Sequence, residues 1–209
     1  MKAFLSSFFI LFISHFILAQ NDMTISFNES IHLSNVSTKT QFIITGGTEK
    51  IQLKGNEINS YKFQKPGKYT IKIIDNSSKK KDCEEVHLPN EIKLNVSRIK
   101  MTFDTKHISF SEPIRKNKDT ANTTVSIPVT ITTYDQQPVV LNNKTVTSAG
   151  IGTTITAHLK NSNRVYYDGT HIIQYSLTGQ VTENSWLMFD FIDANDTVQS
   201  VSLVTPIQD

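Results

Sequence analysis

Three oxygen-bearing side chains lie close together near the C-terminus, in the segment FIDANDTVQS. Asp193, Asn195 and Asp196 follow a D-x-N-D pattern. Carboxylate and amide oxygens are the ligands that Ca²⁺ prefers, and the ion takes about six to eight of them. The same residue types also stabilise tight turns by bonding to nearby backbone N–H groups. The pattern therefore has two interpretations: part of a calcium site, or a hairpin turn rich in Asn and Asp.

Histidine is the second residue type that could hold a metal. After the N-terminal segment, histidines occur singly, with no H-x-H or H-x-x-x-H pair that would bring two imidazoles together. Only two of them fall on segments that we expect to be neighbouring strands, where they would face each other across a hairpin. We therefore predict no metal and no other cofactor. The histidines concerned are His32, His87, His107, His158 and His171, and the expected pair is His158 with His171.

Motifs for catalysis are absent from the sequence. It contains no G-x-S-x-G nucleophile elbow, no phosphate-binding G-x-x-x-x-G-K and no dinucleotide fingerprint. The adjacent acids Glu84 and Glu85 lie in a charged loop, where solvation accounts for them. We expect a protein that is not an enzyme and has no catalytic residues.

The N-terminal residues have the pattern of an export signal. Lys2 is followed by an apolar run from Phe4 to Leu18, and Ala19 offers a small residue for cleavage. The run is shorter than the roughly 20 residues that a membrane-spanning helix needs. We predict a signal peptide at 1–19 and an exported mature protein, in the periplasm or at the cell surface, that is not an integral membrane protein. The single cysteine, Cys83, rules out an internal disulfide and favours a bacterial origin.

Composition limits the partners. The 209 residues carry 21 basic and 19 acidic side chains, for a net charge of +2. Proteins that bind nucleic acid rely on a strong positive field, so we expect no nucleic-acid partner. Charged residues make up only 19% of the chain, below the roughly 25% of typical globular proteins.

Short segments that alternate apolar with polar residues run through the rest of the chain, separated by turn-forming residues, and they predict an all-β protein. In the first half the expected strands include MTISF, IHL, QFIIT, KIQLKG, EEVHL and EIKLNV, beginning at residues 23, 31, 41, 50, 84 and 91. In the second half they include KMTF, HISF, TTVSIPVTITTY, PVVL, GTTITAHL, HIIQYSLTG, WLMFDFID and SVSLV, beginning at 100, 107, 123, 138, 152, 171, 186 and 200.

A local repeat suggests two domains. DGTHIIQYSLTG (168–179) resembles PGKYTIKIIDNS (66–77). Each segment has a turn dipeptide that ends in Gly, then one residue, a ring side chain and alternating apolar residues, and His171 has the position of Tyr69. The two segments are about one sandwich domain apart, ~100 residues. We predict two tandem immunoglobulin-like β-sandwiches at 21–98 and 99–209, joined by a short linker near Arg98.

The segment F-x-x-P-G-x-Y-x-I-x-I resembles a signature of bacterial extracellular immunoglobulin-like and PKD-like modules. It is formed by Phe63, Pro66, Gly67, Tyr69, Ile71 and Ile73. The resemblance implies that the Tyr69 hydroxyl bonds back to the preceding loop, as in a tyrosine corner, and is structural. It also implies a class of adhesins, spacers, carbohydrate binders and envelope subunits, without choosing among them.

WLMFDF is the most hydrophobic segment of the second half. Strand alternation places Trp186, Met188 and Asp190 on one face and Leu187, Phe189 and Phe191 on the other. We expect Trp186 to be buried in the sandwich; if its face is uncovered instead, Trp186 and Met188 form a candidate contact patch for a partner.

These observations predict a non-catalytic exported binding protein. Its expected role is accessory subunit of a bacterial outer-membrane or envelope complex for secretion, transport or gliding, with a protein partner there. Edge strands and loop ends would supply the contact surface. The alternative is a surface adhesin or carbohydrate-binding module, for which Tyr166, Tyr167 and Trp186 are the visible aromatic candidates.

Overall fold

The computed structural model describes residues 22–75, 88–142, 144–183, 186–203 and 207. The expected signal peptide, Cys83, His87 and the expected strand residues 84–87 lie outside this range. The described residues are mostly β-strand, with one short α-helix and one turn of 3₁₀ helix (Thr105–His107), so the all-β prediction is confirmed. The elements are β1 (Asp22–Ser26), β2 (Gln41–Gly46), β3 (Glu49–Lys54), α1 (Glu57–Ser60), β4 (Gly67–Ile74), β5 (Glu91–Ser97), β6 (Ile99–Phe103), β7 (Ser109–Phe110), β8 (Thr124–Thr133), β9 (Val139–Val140), β10 (Thr145–Ala149), β11 (Thr156–Leu159), β12 (Val165–Tyr166), β13 (Gly169–Thr178), β14 (Leu187–Ile192) and β15 (Val198–Leu203).

The first five strands form one sheet in the order β1-β5-β4-β2-β3, which we call the N-terminal sheet. Its strands pair antiparallel except β1, which runs parallel to β5. Alternation along each strand sends one set of apolar side chains to a common face, as period-two patterning requires. Phe42, Ile44, Ile71, Ile92 and Leu94 are buried on that face.

An irregular layer covers the buried face of the N-terminal sheet. Ile31, Ile58 and Phe63 come from the segment after β1, from α1 and from the segment before β4, and all three join the same buried cluster as the sheet. The layer is held by an antiparallel bridge between Glu29 and Phe63. The expectation of a strand at Ile31–Leu33 is wrong, because these residues pack over the sheet without joining a ladder.

The later strands form a second, eight-stranded sheet, which we call the C-terminal sheet. Its order is β15-β14-β10-β11-β13-β8-β6, with β7 also paired to β8. A separate two-stranded ribbon joins β9 and β12. The two ends of the C-terminal sheet meet through one side chain: Gln199 on β15 accepts from Phe103 N at 3.2 Å and donates to Met101 O at 3.1 Å on β6. The sheet therefore curls until its edge strands lie beside each other, enclosing a core that includes Val125, Ile127, Phe189 and Phe191.

Two buried clusters, one for each sheet, lie on either side of Arg98. Arg98 itself bonds to Asp135 at 2.8 Å and to the carbonyl oxygens of Gln137 and Pro138. Because the connection between β5 and β6 is one residue long and its side chain is held by the turn after β8, the chain has little freedom at this point.

Side chains also join the two sheets beyond this connection. Asn195, in the β14–β15 turn, donates to Ser26 Oγ at 3.1 Å and to Ile99 O at 2.9 Å. Lys100 pairs with Glu29 at 3.1 Å. The rings of Phe27 and Tyr134 meet edge to face, with 5.8 Å between their centroids. These contacts order β1 against the start of the C-terminal sheet.

Within the described ranges, no helix is long and apolar enough to cross a membrane. The only α-helix found there, α1, has four residues. Its role is to place Ile58 against the N-terminal sheet, where the side chain is fully buried.

Candidate functional site

Trp186 is the largest of the exposed apolar side chains of the C-terminal sheet. It directly precedes β14 and is 51% exposed, so the expectation that it is buried is wrong. Leu187, Phe189 and Phe191 face the core as alternation predicts, while Met188 is half-buried on the opposite face. The physical reason is that, among the described residues, the buried cluster of the curled sheet lies on its inner side, whereas Trp186 is on the outer side.

The turn between β10 and β11 lies beside Trp186. β10 pairs with β14 so that Ala149 is opposite Met188, and continuing this register sets Ile151 opposite Trp186. A Cβ atom at Gly150 would stand only 2.5 Å from the Trp186 carbonyl oxygen, so the glycine allows a close backbone approach. Ile151 is 69% exposed. We call Ile151, Trp186 and Met188 the Trp186 patch; sequence reasoning missed Ile151, because a glycine-flanked loop residue has no alternation to place it.

The Asp193–Asp196 segment forms the hairpin turn between β14 and β15. Asp193 is 4% exposed, and its Oδ1 accepts from the backbone N–H groups of Asn195 at 2.7 Å and Thr197 at 2.9 Å. Asp196 Oδ1 pairs with Lys144 Nζ at 2.6 Å. The Asn195 amide points instead toward Ser26 and Ile99. The three side chains therefore diverge, which is the arrangement of a turn rich in Asn and Asp.

Burial raises the pKa of the Asp193 carboxyl, although two backbone N–H bonds and the nearby Lys144 ammonium act in the opposite direction. Lys144 Nζ also donates to the Asp193 carbonyl oxygen at 2.6 Å. The Lys144 ammonium thus already bonds to two oxygen atoms of this turn.

The histidines do not converge. His158 is opposite Ser176 and His171 is opposite Val129, so the expectation that they face each other is wrong. His107 Nδ1 lies 2.6 Å from Asp104 Oδ2, at the surface. His171 Nε2 donates to Tyr167 O at 2.7 Å. In the part of the chain that the structure describes, no group of three His, Cys, Asp or Glu side chains could hold a metal ion.

Tyr69 has the structural role that the resemblance implies. Its hydroxyl donates to Lys65 O at 2.9 Å, across the turn at Pro66 and Gly67. Its ring packs edge to face on the buried Phe63, with 5.3 Å between centroids. Partial burial raises the pKa of the phenol, and the carboxylate of Glu49 adds to the shift. These contacts hold the Tyr69 side chain at the corner that leads into β4.

The aromatic residues considered for carbohydrate binding do not form a row. Tyr166 is buried, whereas Tyr167 and Trp186 are exposed. Tyr167 lies just before β13 begins, and Trp186 lies near the other end of the sheet, beside the turn between β10 and β11. Stacking on a sugar chain needs aromatic faces side by side, which this placement does not provide.

A cleft of about 480 Å³ opens at the end of the C-terminal sheet where β6 begins. Its walls come from β6, β11, β13 and β14 and from the segment around β9, and it includes Tyr175 and Lys144. Sequence reasoning missed both residues. The available signal was a tyrosine at an inward position of β13, because a buried hydroxyl requires a partner.

No family model matches the chain, and neither the curated proteins nor the solved structures include a match to it.

Proposed function

We propose that this protein is a non-catalytic exported binding protein, an accessory subunit of a bacterial outer-membrane or envelope complex for secretion, transport or gliding. The observation that carries the proposal is the Trp186 patch. There, an exposed isoleucine follows β10 and an exposed tryptophan precedes β14, the strand that pairs with β10.

The composition of the patch supports a protein partner. Tryptophan and methionine are enriched in protein–protein interfaces, and tryptophan is prominent among the residues that dominate binding energy. Ile151 adds apolar area directly beside it, so a partner would remove both side chains from water together. Burial of a large apolar side chain contributes about 1.5–3 kcal/mol.

The backbone under the patch is held in place, which favours binding. Ser148 donates from its hydroxyl to Ile155 O at 2.7 Å, closing the turn that carries Ile151. Gly150 packs against the Trp186 backbone. A surface that is already ordered loses little conformational entropy when a partner binds.

We further propose that the chain consists of two tandem immunoglobulin-like β-sandwich domains, 21–98 and 99–209. Two separate buried clusters support this division, as does the repeated corner bond made by Tyr69 and His171.

Affinity purification of the tagged protein from the outer membrane of its native cells, with crosslinking before lysis, tests the proposal. The wild type is expected to recover one specific partner, and Trp186→Ala and Ile151→Asp are expected to lose it. Tyr167→Ala is the matched control, because it removes another exposed aromatic ring, at the opposite end of the sheet from the patch. Recovery of a monomer alone, or undiminished recovery of the partner by Trp186→Ala, would overturn the proposal.

The adhesin or carbohydrate-binding alternative stays a prediction. A glycan array decides it: binding that survives Trp186→Ala and is lost in Tyr167→Ala would favour this alternative over the subunit role.

A further inference from the structure

The cleft at the start of β6 is distinct from the Trp186 patch. β14 begins directly after Trp186 of the patch and ends at Ile192, which lines the cleft, so the two features lie at opposite ends of this strand. Apolar side chains form about half of the cleft wall, among them Met101, Leu141, Leu159 and Ile192. Its volume of about 480 Å³ lies in the range of small-molecule sites, ~300–1,000 Å³. Such sites occur at the mouths of curled β-structures, which is the position of this cleft.

Tyr175 gives the cleft a specific polar group. Its side chain lines the cleft and is 4% exposed. No described residue forms a hydrogen bond with its hydroxyl, yet the described structure contains no fully enclosed side-chain oxygen that lacks a partner. The hydroxyl therefore opens into the cleft volume. A phenol that lines a cleft and has no partner among the described residues has a hydrogen bond to offer, which a ligand atom would satisfy.

The phenol stays neutral over the physiological range, because burial raises its pKa and nearby Tyr166 adds to the shift. It can therefore donate one hydrogen bond and accept another at physiological pH.

The charges at the rim select against anions. Lys144 is the one cationic residue among the described residues that line the cleft, and its ammonium already bonds to Asp196 Oδ1 and Asp193 O, each at 2.6 Å. Asp193 and Asp196 also line the cleft, so carboxyl groups outnumber ammonium groups there. A ligand that carried its own negative charge would meet like charge at the entrance.

We propose that this cleft binds a small, uncharged organic molecule with an apolar, ring-sized body and one polar group that hydrogen-bonds to the Tyr175 hydroxyl. The apolar walls take the body of the molecule, and the phenol fixes its orientation. A binding protein with such a site would respond to, or carry, a neutral hydrophobic compound in addition to contacting its partner.

The probe for this site is N-phenyl-1-naphthylamine, an uncharged fluorophore with one N–H group, and its sulfonated relative 8-anilino-1-naphthalenesulfonate is the matched anion. Titration of the full mature protein is expected to give saturable, blue-shifted emission with one equivalent of the neutral dye. The anionic dye is expected to bind at least about tenfold more weakly, from the like charge at the rim. Equal or stronger binding of the anion would overturn the assignment of ligand class.

Two variants test whether the neutral dye binds in the cleft. Tyr175→Phe keeps the ring and removes the hydroxyl, and it is expected to weaken binding of the neutral dye about three- to tenfold, the loss of one hydrogen bond. Tyr167→Phe is the control and is expected to bind as the wild type does, because its hydroxyl is at the exposed surface. Ala194→Phe fills the cleft from its half-buried rim and is expected to abolish saturable binding.

The far-ultraviolet circular dichroism of each variant establishes that it is folded. Wild-type affinity in folded Ala194→Phe, or an unchanged affinity in Tyr175→Phe, would overturn the proposal; if Ala194→Phe does not fold, Tyr175→Phe decides alone. None of these results depends on the partner of the Trp186 patch.

Discussion

Tyr69 and His171 make equivalent hydrogen bonds in different sheets: each side chain donates to the carbonyl oxygen of the residue four positions earlier. Tyr69 Oη reaches Lys65 O at 2.9 Å, and His171 Nε2 reaches Tyr167 O at 2.7 Å. Each bond closes the turn that leads into a long strand, β4 in one case and β13 in the other. Both rings are therefore structural, and each satisfies a loop carbonyl that regular sheet pairing leaves open.

Removing either corner bond is expected to destabilise the protein modestly. Tyr69→Phe and His171→Phe should each lower the free energy of unfolding by about 0.5–1.5 kcal/mol, the net value of one hydrogen bond. Urea unfolding followed by circular dichroism measures the change. Tyr167→Phe is the control and should change stability by less than about 0.5 kcal/mol, as exposed substitutions do. Equal stability of all three variants would refute a structural role for the corners.

Gly46→Ala is expected to destabilise the N-terminal sheet by about 1–3 kcal/mol, the usual cost of overpacking. The ring of Tyr69 occupies the space that a Cβ atom at position 46 would need. A double-mutant cycle isolates this contact: in a Tyr69→Ala background, Gly46→Ala should cost much less. An undiminished cost in that background would show that the backbone, and not the ring, requires glycine.

Gln199→Ala is expected to loosen the C-terminal sheet where its edges meet. The substitution leaves Phe103 N and Met101 O without the amide that bonds them, and we expect a loss of about 1–3 kcal/mol. Hydrogen exchange at Phe103 should accelerate as well. Gln174→Ala is the matched control, since its amide makes one exposed bond to Ser126 at 3.3 Å. A smaller effect in Gln199→Ala than in Gln174→Ala would contradict the proposed closure.

Asp193→Asn should change how stability depends on pH. Burial raises the pKa of Asp193 in the folded state, so its contribution to stability is complete below the unfolded-state pKa and is lost as pH rises through the folded-state pKa. Asparagine does not titrate and retains an Oδ1 that can accept both backbone bonds. Relative to the wild type, the variant should therefore gain stability as pH rises from below 4 to 7.

Urea unfolding of both proteins across that pH range measures the difference. Asp104 and Asp135, whose pKa values are lowered in the folded state, contribute the opposite pH dependence to both proteins and cancel in the comparison. A difference that is constant with pH would mean that Asp193 is not titrating abnormally.

The β14–β15 turn illustrates how far local sequence information extends. A turn rich in Asn and Asp could be expected from FIDANDTVQS, because such side chains bond to backbone groups two or three residues away. The partners of Asn195 and Asp196 could not, because Ser26 and Lys144 are far away in the chain. The choice between a calcium site and a turn depended on those distant groups.

Trp186 shows that strand alternation alone does not predict which face of a strand is buried. Alternation assigned Leu187, Phe189 and Phe191 to one face of β14 and Trp186 to the other, and this assignment is confirmed. Alternation does not say which face will be covered, and the apolar character of Trp186 suggested the wrong answer. The prediction of a strand at Ile31–Leu33 is wrong for a related reason. A short apolar segment can pack over a sheet without pairing as one of its strands.

The sequence by itself determined the all-β class, most strand positions and the corner at Tyr69, because alternation and turn chemistry act between residues close together in the chain. The tertiary structure decided which strands pair, how the C-terminal sheet curls back on itself through Gln199, and which apolar and polar groups are left facing solvent or a cleft. Those outcomes depend on contacts between distant residues, whose free energies compete across the whole molecule and leave no periodic trace in the sequence.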